Sequence, residues 1–304
     1  MNKLIVILGQ TAGGKTDLSI KLAKKYNGEV VSADSRQVYK GMDIGTAKPK
    51  IVKEKNKIVS SDITHWLLDI KNPNQIYTVA EYKKDAIKAI RNIQKRGKLP
   101  ILTGGTGLYI KSIVDNLNIP KVKAHPLLRQ KIEEEMQERG LDFVFQKLIE
   151  LDPEAAYIVD PKNPRRVVRA LEVVLSTKKP FSEQRKSGSP LFDVLEIGIS
   201  LPKEKLKERI NFRVDKMIKE GLVKEVEKLM EKYGREQQAF DAIGYREIIE
   251  FLNNKTTLEQ AVETMKTNTW HYAKKQMTWF KRDSRIHWVK NQKEVEKLTK
   301  KFLQ

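Results

Sequence analysis

The chain contains no cysteine, which excludes disulfide cross-links, thiolate nucleophiles and cysteine-ligated metal centres. Histidine is scarce as well: His65, His125, His271 and His287 are scattered without metal-ligand spacing, so zinc chemistry is not expected. No window approaches the roughly 18 unbroken apolar residues that a membrane span requires, and a membrane protein is not expected. The opening Met1-Asn-Lys-Leu-Ile-Val-Ile-Leu-Gly9 lacks the basic segment, apolar run and small-residue cleavage site of a secretory signal, which predicts a cytoplasmic address. Acidic residues are in deficit, 39 against 59 lysines and arginines, leaving a net charge of +20. That balance favours a partner with a phosphate backbone, although a generally lysine-rich proteome produces it too.

What is present suffices for a core. A chain of 304 residues, 39 % hydrophobic, suits a main domain plus something smaller, because single cores stop growing at roughly 250–300 residues. Leu4 to Leu8 is a short continuous apolar run, as in a strand buried on both faces of a parallel sheet. Similar runs lie at Glu29 to Ala33 and Leu99 to Thr103, with helix-period stretches from Asp17 to Tyr26 and Val79 to Arg96 between them. This alternation predicts βαβ units. Val194 to Leu201 and Arg285 to Lys290 read as two later strands. Between them and the first half no strand pattern is convincing, while Pro126 to Arg139, Leu141 to Leu151, Pro153 to Val159 and Pro164 to Ser176 read as helices. The expected architecture is therefore α/β: a P-loop-like parallel sheet core formed by residues 1–119 and 191–304, with an all-helical domain, 120–190, inserted between proline-rich boundaries.

Gly9-Gln10-Thr11-Ala12-Gly13-Gly14-Lys15-Thr16 matches the pattern G-x-x-x-x-G-K-[ST] of nucleotide- and ATP-binding loops, directly after a predicted strand and before a predicted helix. Glycines let backbone N–H groups turn inward around phosphate oxygens, Lys15 adds a point charge, and the Thr16 hydroxyl can hold Mg²⁺. An NTPase also needs an acid ending a second strand, yet Leu99 to Thr103 runs into Gly104-Gly105-Thr106. Asp34 and Asp69 remain candidates for that metal role. On the loop alone, a nucleotide kinase and a transferase using another diphosphate both stay open.

Further motifs decide more. Asp34-Ser35-Arg36-Gln37-Val38-Tyr39, Gly41 to Pro49, His65-Trp-Leu-Leu-Asp69, Gly104-Gly-Thr-Gly-Leu-Tyr109, Asn163 to Glu172, Ala242 to Arg246 and Ala273 to Lys281 follow in order over nearly the whole chain. In these blocks the sequence closely resembles tRNA dimethylallyltransferases, which prenylate an adenosine beside the anticodon. Gln10 and Gly13 stand where the family usually has proline and serine; the phosphate-binding glycine, lysine and threonine are kept.

The resemblance implies transfer of a dimethylallyl group from dimethylallyl diphosphate to N6 of adenosine in tRNAs reading codons that begin with U, with Mg²⁺ as cofactor and the anticodon stem-loop as partner. A monomer is the family expectation. Loop amides, Lys15, Thr16-bound Mg²⁺, Arg129 and Arg209 would neutralise the departing pyrophosphate, guanidinium forks suiting bidentate phosphate contacts. By resemblance Asp34 is the general base on N6, with Thr106 near the adenine and Ser35, Arg36 and Gln37 around the extruded base. Arg165, Arg166 and Arg169, with the intervening Val167 and Val168, would form a tRNA-binding helix, joined by Arg246, Lys274 and Lys275. Trp270, Tyr272, Trp279 and Phe280 could stack on bases, but Trp270, Ala273, Met277 and Phe280 form a helical stripe better read as core. A nucleotide kinase, an enzyme prenylating free AMP, and a non-enzymatic RNA-binding protein are the alternatives.

Overall fold

A computed structural model describes residues 2–54, 57–119, 125–185 and 187–304. The expected boundary stretch 120–124 and Lys186 lie outside these residues. The chain forms two compact units, one of Met1–Val114 with Leu191–Gln304 and one of Asp115–Pro190. The second begins five residues before the expected 120, because Asn116 is tied to the far end of the segment: its amide donates to the Ser189 carbonyl at 2.9 Å and its carbonyl accepts from Gly188 N at 3.2 Å.

In the first unit the order is β1 (Lys3–Gly9), α1 (Lys15–Lys25), β2 (Gly28–Ala33), β3 (Val52–Glu54), β4 (Lys57–Ser60), β5 (Ile63–Trp66), α2 (Val79–Lys95), β6 (Leu99–Gly104) and α3 (Gly107–Val114). The second unit contributes α4 (Pro126–Arg139), α5 (Leu141–Leu151), α6 (Ala155–Ile158) and α7 (Pro164–Thr177). The first unit then resumes with β7 (Asp193–Ile199), α8 (Lys203–Lys219), α9 (Leu222–Tyr233), α10 (Tyr245–Leu252), α11 (Leu258–Phe280), β8 (His287–Val289) and α12 (Gln292–Leu303). The sheet order is β3-β4-β5-β2-β6-β1-β7-β8, parallel from β5 to β8 and antiparallel where β3 and β4 are added.

The apolar runs form the middle of this sheet because both faces are covered. Leu4, Val6, Leu8, Val31 and Leu102 pack on one side with residues of α2, α3 and α9 to α11. Ile5, Ile7, Val30 and Ile101 pack on the other with Leu22 and Ala23 of α1 and Val295 of α12. The three strands β3 to β5 were not expected. They are three or four residues long, β3 is fully exposed, and β5 carries Thr64 and His65, so no apolar run announces them. The expected helix Pro153 to Val159 is only the single turn α6.

Candidate active site

The loop after β1 is shaped by its glycines. Gly9 adopts φ +139° and a Cβ there would lie 2.3 Å from the Ile199 carbonyl of the neighbouring strand; Gly14, at φ +92°, is the residue from which α1 starts. Lys15 folds back over the loop and donates to the Gln10 carbonyl at 2.7 Å. Arg209 and Arg213, one turn apart on α8, reach the loop from outside: Arg209 lies 3.5 Å from the Ala12 carbonyl and Arg213 3.5 Å from Thr11 Oγ1. Three cations thus crowd one helix N-terminus. Burial brings Lys15 down to about 8, opposed by Asp34 and assisted by Arg213. Burial also lowers Arg213, with Asp17 opposing and Arg209 adding to the effect. Such a cluster is costly unless an anion joins it.

Asp34 follows β2 immediately. Its Oδ1 accepts from Arg36 N at 2.8 Å and Gln37 N at 3.3 Å, while Oδ2 has no hydrogen bond among the described residues. Thr106, after β6, accepts from Ser35 N at 3.1 Å and lies 3.4 Å from Ser35 Oγ, so the two strand ends are held together. The side chains of Arg36 and Gln37 are engaged within the protein. Arg36 donates to the Gln238 and Ala239 carbonyls, and the Gln37 amide nitrogen donates to those of Thr46 and Ala47. Gln37 is therefore oriented with its nitrogen toward the 46–47 loop. A cavity of about 390 Å³ is lined by Thr11 to Thr16, Arg213, Asp34, Gln37 and Gly104-Gly105 together. Sequence positions as far apart as Lys15, Asp34 and Arg213 share it because β1, β6 and β2 end side by side at their carboxyl edges.

Asp69, a sequence candidate for a metal ligand, is instead bound to Lys48 at 2.5 Å, and Lys48 also holds Asp43 at 2.6 Å and the Tyr39 carbonyl at 2.8 Å. This buried ion pair fixes the Gly41 to Pro49 loop and leaves Asp69 no part in the cavity. Mg²⁺ fits the donors that are present. Among the described residues no three His, Asp or Glu cluster for a metal, and the Thr16 hydroxyl lines the phosphate cavity, which suits a hard ion taking most of its oxygens from phosphate and water.

In the second unit Asn163 caps α7, its side chain accepting from Arg166 N at 3.2 Å, and Pro164 occupies the first turn. Arg165 and Arg166 are exposed. Val167 and Val168 are buried in that unit's core, at 0 % and 4 % exposure, which corrects their placement among RNA-contacting residues: their side chains pack against other apolar groups. Arg169 and Arg129 both hold the buried Glu172 carboxylate, at 2.8 and 2.6 Å, with His125 N a third donor at 2.8 Å. Burial alone would raise Glu172, but these partners hold it below the ordinary carboxylate range. Both arginines thus have structural tasks the sequence did not reveal.

On α11 Phe280 and Ala273 are buried and Lys274 and Lys275 exposed, as the stripe predicts. Lys274 lies over the Trp270 ring at 5.7 Å, and Arg246 is paired with the buried Glu247 at 3.0 Å. Tyr272 is off the stripe and belongs to the site. The residue is 39 % exposed, but desolvation of its hydroxyl and the Asp34 charge push that group up to about 12, against Arg36 and hydrogen bonds to Thr106 and Gln276. Gln276 and Arg213 are functional-site residues that sequence reasoning missed. The Gln276 side chain accepts from Thr11 N at 2.8 Å and donates to the Gly105 carbonyl at 2.9 Å, locking the phosphate loop to the turn after β6. Only for Arg213 was there a sequence signal, its spacing of four from Arg209.

The family model described as IPP transferase matches residues 37–283. A tRNA dimethylallyltransferase of Acetivibrio thermocellus is 45 % identical over 95 % of this chain and 92 % of its own length. One from Carboxydothermus hydrogenoformans is 44 % identical over 99 % of this chain and 96 % of its own. Among solved structures, a Bacillus halodurans tRNA isopentenylpyrophosphate transferase superposes with TM-score 0.69 at 38 % identity, covering 100 % of this chain and 95 % of that one. A eukaryotic dimethylallyltransferase captured acting on tRNA gives TM-score 0.78 at 31 % identity, over 95 % of this chain and 74 % of that one.

Proposed function

The chain belongs to the IPP transferase family, and from that premise we propose that it moves a dimethylallyl group from dimethylallyl diphosphate to N6 of the adenosine on the 3′ side of the anticodon, in tRNAs reading codons that begin with U. The observation that carries this reading is that a single cavity is lined by both the phosphate loop and Asp34. The N6 lone pair forms a bond to C1 of the dimethylallyl group as the C1–O bond breaks, and the diphosphate leaves with the bonding electrons. The surplus N6 proton passes to Asp34 Oδ2, the oxygen left without a hydrogen bond while Oδ1 is held by the Arg36 and Gln37 amides. Lys15, Arg209, Arg213 and the loop amides meet the charge that develops on the leaving group, fixed donors being most effective where charge appears only in the transition state. The Thr16 hydroxyl would hold Mg²⁺ brought in with the diphosphate, and the ion would supply further charge neutralisation there. Thr106 keeps the Asp34-Ser35 turn in place.

Positive side chains for RNA are exposed on each unit: Lys274 and Lys275 on the first, Arg165 and Arg166 on the second. The test is incubation with dimethylallyl diphosphate and either tRNA or AMP, followed by nucleoside analysis. Prenyladenosine in tRNA alone is expected. Prenylation of AMP, or ATP turnover without prenylation, would replace the reading by a nucleotide-prenylating enzyme or a kinase.

A further inference from the structure

The floor of the phosphate cavity is built from side chains that the transfer reaction leaves unused. Sheet register sets Ser32 beside Thr103 and Val30 beside His65. Val30 and Ser32 are two residues apart and point to the same face. Ser32, Thr103 and His65 therefore share the face of the sheet that α1 covers, and all three line the cavity together with Thr16 of the first turn of α1. Thr103 is the next-to-last residue of β6, the strand beside β1, near where a carboxylate would stand in an NTPase.

His65 is only 5 % exposed, and its Nδ1 lies 2.9 Å from the Ile63 carbonyl. That contact requires the hydrogen on Nδ1 and leaves a lone pair on Nε2. Burial depresses the His65 pKa, against the hydrogen bond to Ile63, and so favours the neutral ring. His65 Nε2 and Thr103 Oγ1 are both buried without a hydrogen-bond partner. A buried acceptor of this kind calls for a donor. Diphosphate oxygens offer none to a neutral imidazole, whereas water on a divalent cation is a strong donor.

We propose that His65 and Thr103 are positioning residues that hold the water shell of the diphosphate-bound Mg²⁺, replacing with neutral hydrogen bonds the carboxylate that the end of β6 lacks. With no carboxylate at the end of β6, the ion draws most of its charged oxygens from the diphosphate, so it binds weakly to the free protein and strongly only together with diphosphate. The inference rests on the cavity being the diphosphate site.

The experiment uses the full chain with Mn²⁺ as the spectroscopic probe and inorganic diphosphate as the anion. Electron paramagnetic resonance should show weak Mn²⁺ binding alone and tight binding with diphosphate. His65→Leu and Thr103→Val should each weaken Mn²⁺ binding to the diphosphate-loaded protein about 10- to 100-fold, the usual effect of losing an outer-shell partner. Diphosphate binding in EDTA should stay within about twofold of wild type. His65→Gln, whose side-chain oxygen can accept at the Nε2 position, should recover much of the loss and guards against a folding artefact. Unchanged Mn²⁺ affinity in both variants would overturn the proposal. So would an equal loss of diphosphate binding in EDTA, which would mean that these side chains touch the anion itself. If wild type bound no diphosphate in EDTA, the cavity assignment would fail, and the inference with it.

Discussion

Asp34 and Lys15 carry the sharpest expectations because each has one chemical task and a defined setting. Asp34→Asn keeps acceptors for the Arg36 and Gln37 amides but lowers the basicity of the group facing the cavity. Transfer should fall about 10²- to 10⁴-fold, while tRNA binding, measured by filter retention, stays near wild type. A comparable loss of binding would remove the base assignment. Burial brings Lys15 down to about 8, and a bound anion raises that value. Diphosphate binding accordingly takes up a proton at pH values above about 8, where the free amine has lost its charge. The Lys15 contribution to affinity is full below pH 8 and declines above it by up to tenfold per pH unit. Comparing wild type with Lys15→Met by calorimetry cancels the titration of diphosphate itself, and parallel profiles would show that Lys15 does not contact the anion.

At the scale of elements, two carboxylates hold secondary structure in the place the site needs. Glu225 of α9 accepts from Asp43 N at 3.1 Å, Ile44 N at 2.8 Å, Gly45 N at 3.1 Å and the Tyr245 hydroxyl at 2.5 Å. Gly45 lies against the Tyr245 ring, where a Cβ would come within 2.5 Å. The loop so fixed supplies the Thr46 and Ala47 carbonyls that orient Gln37. Glu225→Ala should lower the rate of transfer at saturating substrates about tenfold or more, since small displacements of a positioned group are expensive, with diphosphate binding unchanged. Equal rates would show that the loop does not position the acceptor.

Glu29, in the strand that ends at Asp34, is 1 % exposed and receives Arg96 at 2.6 and 2.7 Å and the Trp66 indole at 2.8 Å. Burial alone would raise its carboxyl, but Arg96, Trp66 and Lys98 hold it at about 2. Its contribution to stability is complete above the ordinary glutamate value and is lost as pH falls toward about 2. Glu29→Gln should destabilise by about 3 kcal/mol, the lower end for breaking a buried pair because Arg96 is a third exposed. Thermal unfolding at pH 7 measures this, and the gap between variant and wild type should close on acidification.

For the whole molecule, the net charge of +20 matters through its distribution. Neutralising Arg165 and Arg166 together should reduce the slope of log affinity for tRNA against log salt by about 1.5, each phosphate contact contributing roughly 0.7 to 0.9 through counterion release. Arg169→Ala should act differently. That side chain is bonded to a fully buried glutamate, so its loss should lower the thermal stability of the second unit more than it changes the salt slope. Identical slopes for wild type and the double variant would remove Arg165 and Arg166 from the RNA surface.

The sequence by itself determined the features that are local or nearly so. The continuous apolar runs of β1, β2 and β6 mark a parallel core because strands covered on both faces need no polar alternation. The Gly9 to Thr16 loop follows from residue types alone, since only glycine accepts the backbone at Gly9 and Gly14. The ordered motifs specified the family. Only the tertiary structure decided which of those motif residues face a cavity and which hold other residues. Val167 and Val168 became core, Arg129 and Arg169 became partners of Glu172, and Asp69 was bound to Lys48, all through contacts that have no signature in spacing. Likewise β3 to β5 are too short and too polar to be seen as strands until β2 supplies hydrogen bonds to β5. Gln276, Glu225 and Arg213 act on backbone or charge some 180 to 265 residues away, and separations of that length are fixed by how helices pack on the sheet, not by any local preference of the chain.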